Sequence, residues 1–187
     1  MKDCRRRQSA SERIYVALLR AVNVGGTGKL AMSDLKAICR AAGFSHVETY
    51  IASGNVVFQA KMSAGEVKTE LEARLSRHAG KPISVAVRSV DELAAIVEAN
   101  PFKKASPSKT VTIFLDHPPP GDALMHATGR QREALHLGER EIFVHYVDGI
   151  GRSKLTIPAA RTGTGRNMNT VAKLAALAAK TRAAVRG

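Results

Sequence analysis

Tryptophan is absent from this chain of 187 residues, and the aromatics number only 3 Tyr and 5 Phe. Its core must therefore be aliphatic. Cysteine is nearly absent too. Cys4 and Cys39 are far apart and form no CxxC pair, which excludes a disulfide framework and a thiolate zinc site. Cys39 falls on the apolar face of a predicted helix, so we expect a reduced core thiol and cytoplasmic residence. No apolar run approaches the roughly 20 residues of a membrane span, so no membrane partner is expected. The Arg-rich start precedes too short an apolar run, without a cleavage site, to read as a signal peptide.

Acidic residues are scarce as well. The chain has 16 Asp and Glu against 29 Lys and Arg, a net charge of +13. That balance points to an anionic partner, either nucleic acid or a small anion. Residues 1–13 and 180–187 each hold a net +3 of it, leaving +7 on the body. Both ends read as basic tails that aid solubility.

What is there is a hydrophobic content of 44%, enough for a real core. The length suits two lobes of about 90 residues better than one large unit. Ile14–Ala21 is apolar on both alternating faces up to Arg20, the mark of a central strand covered on both sides or nearly so. Met32–Ala42 places Leu35, Ile38 and Cys39 on one helical face, with Gly43 as the stop. Val47–Ala52 and Val56–Phe58 flank Ser53-Gly54-Asn55, a hairpin signal. Ser63-Ala64-Gly65-Glu66 is a capping box before Val67, Leu71 and Leu75, and Ile83–Val87 is a short strand. The order is β-α-β-β-α-β, that of a ferredoxin-like unit.

Ser89-Val90-Asp91-Glu92 is a second capping box, and Asn100-Pro101 ends its helix. Thr110–Leu115 reads as a strand, and Asp122–Ala127 as a weak helix after a proline run. A two-residue turn at Gly138-Glu139 sets Leu135 opposite Ile142, with Leu137 and Val144 on the same face. His136, Glu141 and His145 then share a solvated face with Phe143. A last helix spans about Thr170–Ala184. The fold class is thus α+β: two ferredoxin-like α/β sandwich lobes with mainly antiparallel sheets. Lobe 1 covers 14–88 and lobe 2, a rearranged α-β-α-β-β-α, covers 89–179. The matching element order suggests an old duplication.

Two glycine-rich basic loops carry the only anion-binding signals. The first is Asn23-Val24-Gly25-Gly26-Thr27-Gly28-Lys29, between a strand and a helix. It is not a nucleotide loop: Asn23 stands where the first glycine of a Walker A loop belongs, and Leu30 where the magnesium-binding hydroxyl belongs. It also fails as GxGxxG, because Ala31 occupies the third glycine position. A tight turn accounts for its glycines, and backbone N–H groups with Lys29 would accept a generic anion. Arg20, at the end of the first strand, either faces a ligand crevice or bonds the carbonyls of the next loop. The second loop, residues 161–170, leads into the last helix. Asn167, Asn169 or Thr170 can cap that helix, while Arg166 and Lys173 would be counter-charges to a phosphate.

The six histidines make no HxH or HxxxH spacing, so no metal is expected. Nothing calls for a cofactor. No nucleophile elbow or acid pair is present. The β-α-β-β-α-β order also invites comparison with RNA-recognition domains, whose sheet aromatics stack bases. Here Tyr15 and Phe58 are the aromatics on offer, and both also read as core.

Three separated segments, ALLRAVNVGG at 17–26, TYIASGNVVF at 49–58 and GRNMNTVAKLAAL at 165–177, resemble the signatures of the domain of unknown function 1697 family. The match runs over nearly the whole chain after residue 13. The resemblance implies a two-lobed α+β protein, mostly bacterial and cytosolic, with no established activity. Arg20, Asn23, Gly25, Gly26, Ser53, Gly54, Asn55, Arg166, Asn167, Asn169 and Thr170 match the family pattern. Ala21 stands where the family usually has Gly, Ala52 where it has Gln, and Met168 where it has Trp.

The sequence therefore leads to an anion-accepting site, for phosphate or carboxylate, between the two lobes. Arg20, Lys29, Arg166 and Lys173 would supply charge. Asn23, Ser53, Asn55, Asn167 and Asn169 would supply hydrogen bonds, beside the amides of Gly25 and Gly26. The alternatives are a nucleic-acid-binding module and a small metal-independent enzyme of unknown reaction. Nothing in the sequence bears on the oligomeric state.

Overall fold

The computed structural model of the chain describes residues 12–23 and 29–186. The first sheet holds β1 (Arg13–Leu19), β2 (Ser45–Tyr50), β3 (Asn55–Ala60) and β4 (Val85–Ser89). Their order is β2-β3-β1-β4, every pairing antiparallel. With α1 (Met32–Ala41) and α2 (Ala64–Ala79) as crossovers, this is the expected ferredoxin-like unit. The local signals explain its elements. Ser63 and Glu66 form the predicted capping box at α2, and Ser89 and Glu92 form another at α3 (Val90–Ala99). Leu35 and Cys39 are the buried residues of α1.

The alternation in β1 separates two cores. Tyr15, Ala17 and Leu19 face α1 and α2. Ile14, Val16 and Leu18 face the other way, onto α3 and α4 (Met168–Arg186). Every residue of β3 is buried. Tyr15 and Phe58 are 1% and 0% exposed, and Phe58 stacks on Phe44 with ring centroids 4.4 Å apart. Neither aromatic is open to a base, because helices cover both faces of the sheet.

The second sheet holds β5 (Thr110–Phe114), β6 (Ala134–Leu137), β7 (Glu141–His145) and β8 (Thr164–Asn167), in the order β6-β7-β5-β8. Renumbered from β5, that order equals the order of the first sheet. β8 lies inside the segment expected to be a loop. Its glycines hid it: a Cβ at Gly163 would lie 2.6 Å from the Ile113 side chain, and one at Gly165 3.2 Å from that of Val111. Glycine is there for close packing of an edge strand, not only for a turn. The expected helix at 122–127 is a series of turns. Those turns and the short 3-10 segments at Ile150–Arg152 and Pro158–Ala160 occupy the crossover positions that helices hold in the first half.

Three further expectations are corrected. In the β6–β7 hairpin Leu137 pairs with Ile142 and Leu135 with Val144, two residues from the expected register. The turn is longer, closed by the Gly138 N–H donating to the Glu141 carbonyl at 2.7 Å. A slip of two keeps every side chain on its expected face. That second face is solvated only in part, however: His136 is exposed and His145 half-buried. Phe143 and Glu141 are buried, and Phe143 packs into the core shared with α3 and α4. Finally, the basic tail expected at 180–187 is, through Arg186, the end of α4, with Thr181 buried. Residues 1–11 of the other tail lie outside the described residues.

α3 and α4 thus form a layer that both sheets cover. Phe114 and Phe143 of the second sheet join Val16, Leu18 and Val57 of the first in one core around Val171, Leu174 and Ala178. Two arginines stitch the layers together. Arg88 of β4 is 1% exposed and reaches Glu141 of β7 through Nε (3.0 Å) and Nη2 (2.8 Å). It also donates to the carbonyls of Val87, Leu115 and Arg140 and lies 5.6 Å from the centre of the Phe114 ring. The reciprocal link is Arg166 of β8, which reaches back into the first sheet.

Candidate functional site

Arg166 is the centre of the site. Its Nε–H donates to Asn55 Oδ1 at 2.6 Å. Nη1 donates to Thr164 Oγ1 and the Gly165 carbonyl, at 2.9 and 2.8 Å. Nη2 donates to the carbonyls of Leu19 and Ser53, both at 2.8 Å. A guanidinium has five N–H donors, and all five are engaged. None of these acceptors is a carboxylate. Burial pulls the pKa of Arg166 well below the usual arginine value, to about 10, so it stays charged at neutral pH. The result is a fixed positive charge without an anionic partner among the described residues.

Asn55 completes the arrangement from behind. It is fully buried, with Nδ2 donating to the Tyr50 carbonyl at 3.0 Å and Ser53 Oγ at 2.9 Å. Its amide is saturated and sealed from solvent, so it holds the hairpin turn and Arg166 and does not face the cleft. Gly54 must be glycine: φ is +73°, and a Cβ would come within 2.9 Å of Leu19 Cβ.

In front of Arg166 lies a cleft of about 410 Å³. It runs between the end of β1 (Leu19 to Val22), the β2–β3 turn (Ile51, Ser53), β8 and the start of α4. Arg20 lines it and donates through Nη2 to the Arg161 carbonyl, which ties the end of β1 to the second predicted loop. Asn167 lines it too, and its Oδ1 accepts the Thr170 N–H at 2.9 Å. That bond is the predicted cap of the last helix. The two arginines and the α4 N-terminus give the cleft a positive field, and its lining among the described residues includes no Asp or Glu.

The other expected residues stand elsewhere. Asn23 binds locally: Nδ2 donates to the carbonyls of Leu30 (2.9 Å) and Ala52 (2.7 Å), and Oδ1 accepts the Leu30 N–H at 2.8 Å. It closes the base of the first glycine loop and pins it to the β2–β3 turn. Gly25 and Gly26 lie outside the described residues. Lys29 lines a different cleft of about 330 Å³ with His78 and Lys81, and Arg20, Ala21 and Val22 line both clefts. Asn169 and Lys173 are exposed on α4 and do not line the inter-sheet cleft. Arg20, Ser53, Arg166 and Asn167 are therefore brought together, with Asn55 behind them. Sequence reasoning missed Ile51 and Thr164. Ile51 lies within the quoted hairpin, but its left-handed backbone (φ 49°) is not written in its residue type. Among the described residues no group of three His, Cys, Asp or Glu is placed to hold a metal. Among them, too, no helix is long and apolar enough to cross a membrane.

The fold is similar to that of the conserved bacterial protein SP0830 from Streptococcus pneumoniae. The TM-score is 0.75 at 24% identity, over 90% of this chain and 99% of that one. None of the curated proteins matches the chain. The family model described as Protein of unknown function (DUF1697) matches residues 13–143, which take in β1, the β2–β3 hairpin and the second sheet as far as β7. The chain accordingly belongs to the DUF1697 family, a family of unknown function.

Proposed function

We propose that the protein binds a small oxyanion, phosphate or carboxylate, in the cleft between its two sheets. One observation carries the reading: two arginines, Arg20 and Arg166, line the same cleft, with no carboxylate among the described residues of its lining. Arg166 contributes fixed charge, because its donors are spent within the protein. Arg20 contributes direct contact, since Nη2 binds Arg161 and its other donors have no partner among the described residues. Ser53, Asn167 and Thr170 line the same wall and carry polar groups for the remaining anion oxygens. The anion site fits a bacterial, cytoplasmic protein with a reduced core thiol, but it names no reaction. The nucleic-acid alternative keeps the net charge of +13 as its support. It would have to act through loops and helices, because both faces of the first sheet are covered.

Titrating inorganic phosphate while following backbone amide shifts tests the reading. Shifts centred on Ser53, Thr164 and Asn167, weakened at least tenfold by Arg20→Ala, are the expected result. No shifts at low salt, together with binding to oligonucleotides, would overturn it in favour of the alternative.

A further inference from the structure

The rim of the cleft is conformationally unusual. Four described non-glycine residues have positive φ: Ala21 (50°), Asn23 (58°), His46 (50°) and Ile51 (49°). Ala21 and Ile51 line the inter-sheet cleft. Asn23 is bonded to Ala52 between them, through its carbonyl. Asparagine tolerates this region and alanine is small, but a β-branched residue is disfavoured there. Packing does not account for Ile51. It is 50% exposed and belongs to none of the hydrophobic cores. Glycine or asparagine would serve the turn without strain. Backbone strain of this kind persists where it sets up a binding surface. Leu19 and Val22 are buried and Ala21, though exposed, offers only a methyl group, so Ile51 is the one large exposed apolar side chain in the described lining of the cleft.

Resting on the anion reading above, we propose that the ligand is an oxyanion carrying an apolar body, an organic phosphate monoester or carboxylate. The charged end sits at Arg20 and Arg166. Ile51, held outward by its left-handed backbone, covers the apolar body. Inorganic phosphate would then occupy only half of the site.

The test compares inorganic phosphate, phenyl phosphate and benzoate by calorimetry on the wild type, Ile51→Gly and Ile51→Val. Phenyl phosphate or benzoate should bind the wild type at least tenfold tighter than phosphate, and which of the two is tighter identifies the oxyanion. Ile51→Gly relieves the strain and should raise Tm. It should also remove the preference for the organic ligand. Ile51→Val keeps the branched bulk and should keep most of the preference. If phosphate binds but the organic anions bind no tighter, the proposal fails while the anion site stands. An organic preference that survives Ile51→Gly likewise sinks it. If no anion binds any of the three proteins, both readings fall.

Discussion

Replacing Arg88 by Met should be among the most damaging substitutions in the molecule, although the residue lies outside the candidate cleft. The Arg88 and Glu141 side chains are only 2% and 5% exposed, so neither charge can return to water. Removing one partner strands the other in the interior, which costs about 3–5 kcal/mol. Arg88→Met also leaves the Leu115 and Arg140 carbonyls without their Nη2 donor. We expect a loss of about 4 kcal/mol. With a urea m-value of about 2 kcal/mol per M, the midpoint falls by about 2 M. The double variant Arg88→Met/Glu141→Leu removes both charges. It still strands the Leu115 carbonyl and the Arg140 N–H that Glu141 Oε2 accepts at 3.1 Å, at about 1 kcal/mol each, whereas the Arg140 carbonyl keeps the Leu115 N–H. It should therefore lose only about 2 kcal/mol. With about 3 kcal/mol for Glu141→Leu alone, the pair is coupled by about 5 kcal/mol, far beyond the error of additivity. Urea unfolding of the four proteins measures this cycle. Single-variant losses under about 1 kcal/mol, or additive effects, would refute the idea that this pair fastens the two sheets together.

Ala21→Gly should stabilise the protein by about 0.5–1 kcal/mol, seen as a higher Tm, because φ there is 50° and glycine takes that conformation freely. Burial raises the Cys39 thiol from 9.0 to about 12, so its protonated form contributes stability below pH 9 that is lost as pH rises toward 12. Above pH 9 the wild type should lose up to about 1.4 kcal/mol per pH unit more than Cys39→Ala, measured by urea titration at each pH. A chain ending at residue 109 keeps the whole first sheet but loses α4, which covers Val16, Leu18 and Val57. It should fail to give a cooperative thermal transition, whereas the full chain should unfold in a single step.

The pieces legible in the sequence were those whose cause is local. Capping boxes at Ser63 and Ser89 announced α2 and α3 because the bonding partners are three residues apart. The doubly apolar run ending at Leu19 announced a central strand, since only burial on both faces tolerates that pattern. Gly54 announced its turn. Arg20, Ser53, Arg166 and Asn167 were nominated from their motifs, and they do line one wall. What the residues could not convey was which groups would be consumed internally. Asn55 and Asn23 look like ligand donors in a motif, but their amides are spent on bonds within the protein.

Sequence alone thus determined the composition of the core, the first β-α-β-β-α-β unit and the family. Each rests on periodicity, capping or turn chemistry over a few residues. Tertiary structure decided the rest. It made a strand of the Thr164–Asn167 loop, because the free edge of β5 was there to pair with it. It placed α3 and α4 between two sheets, because each sheet had an apolar face to cover. It saturated Arg166 with five acceptors, three of them from residues more than 100 positions away in the chain. Contacts between distant segments leave no periodic trace in either segment, so only the folded chain shows that the charge at the cleft is fixed and unpaired.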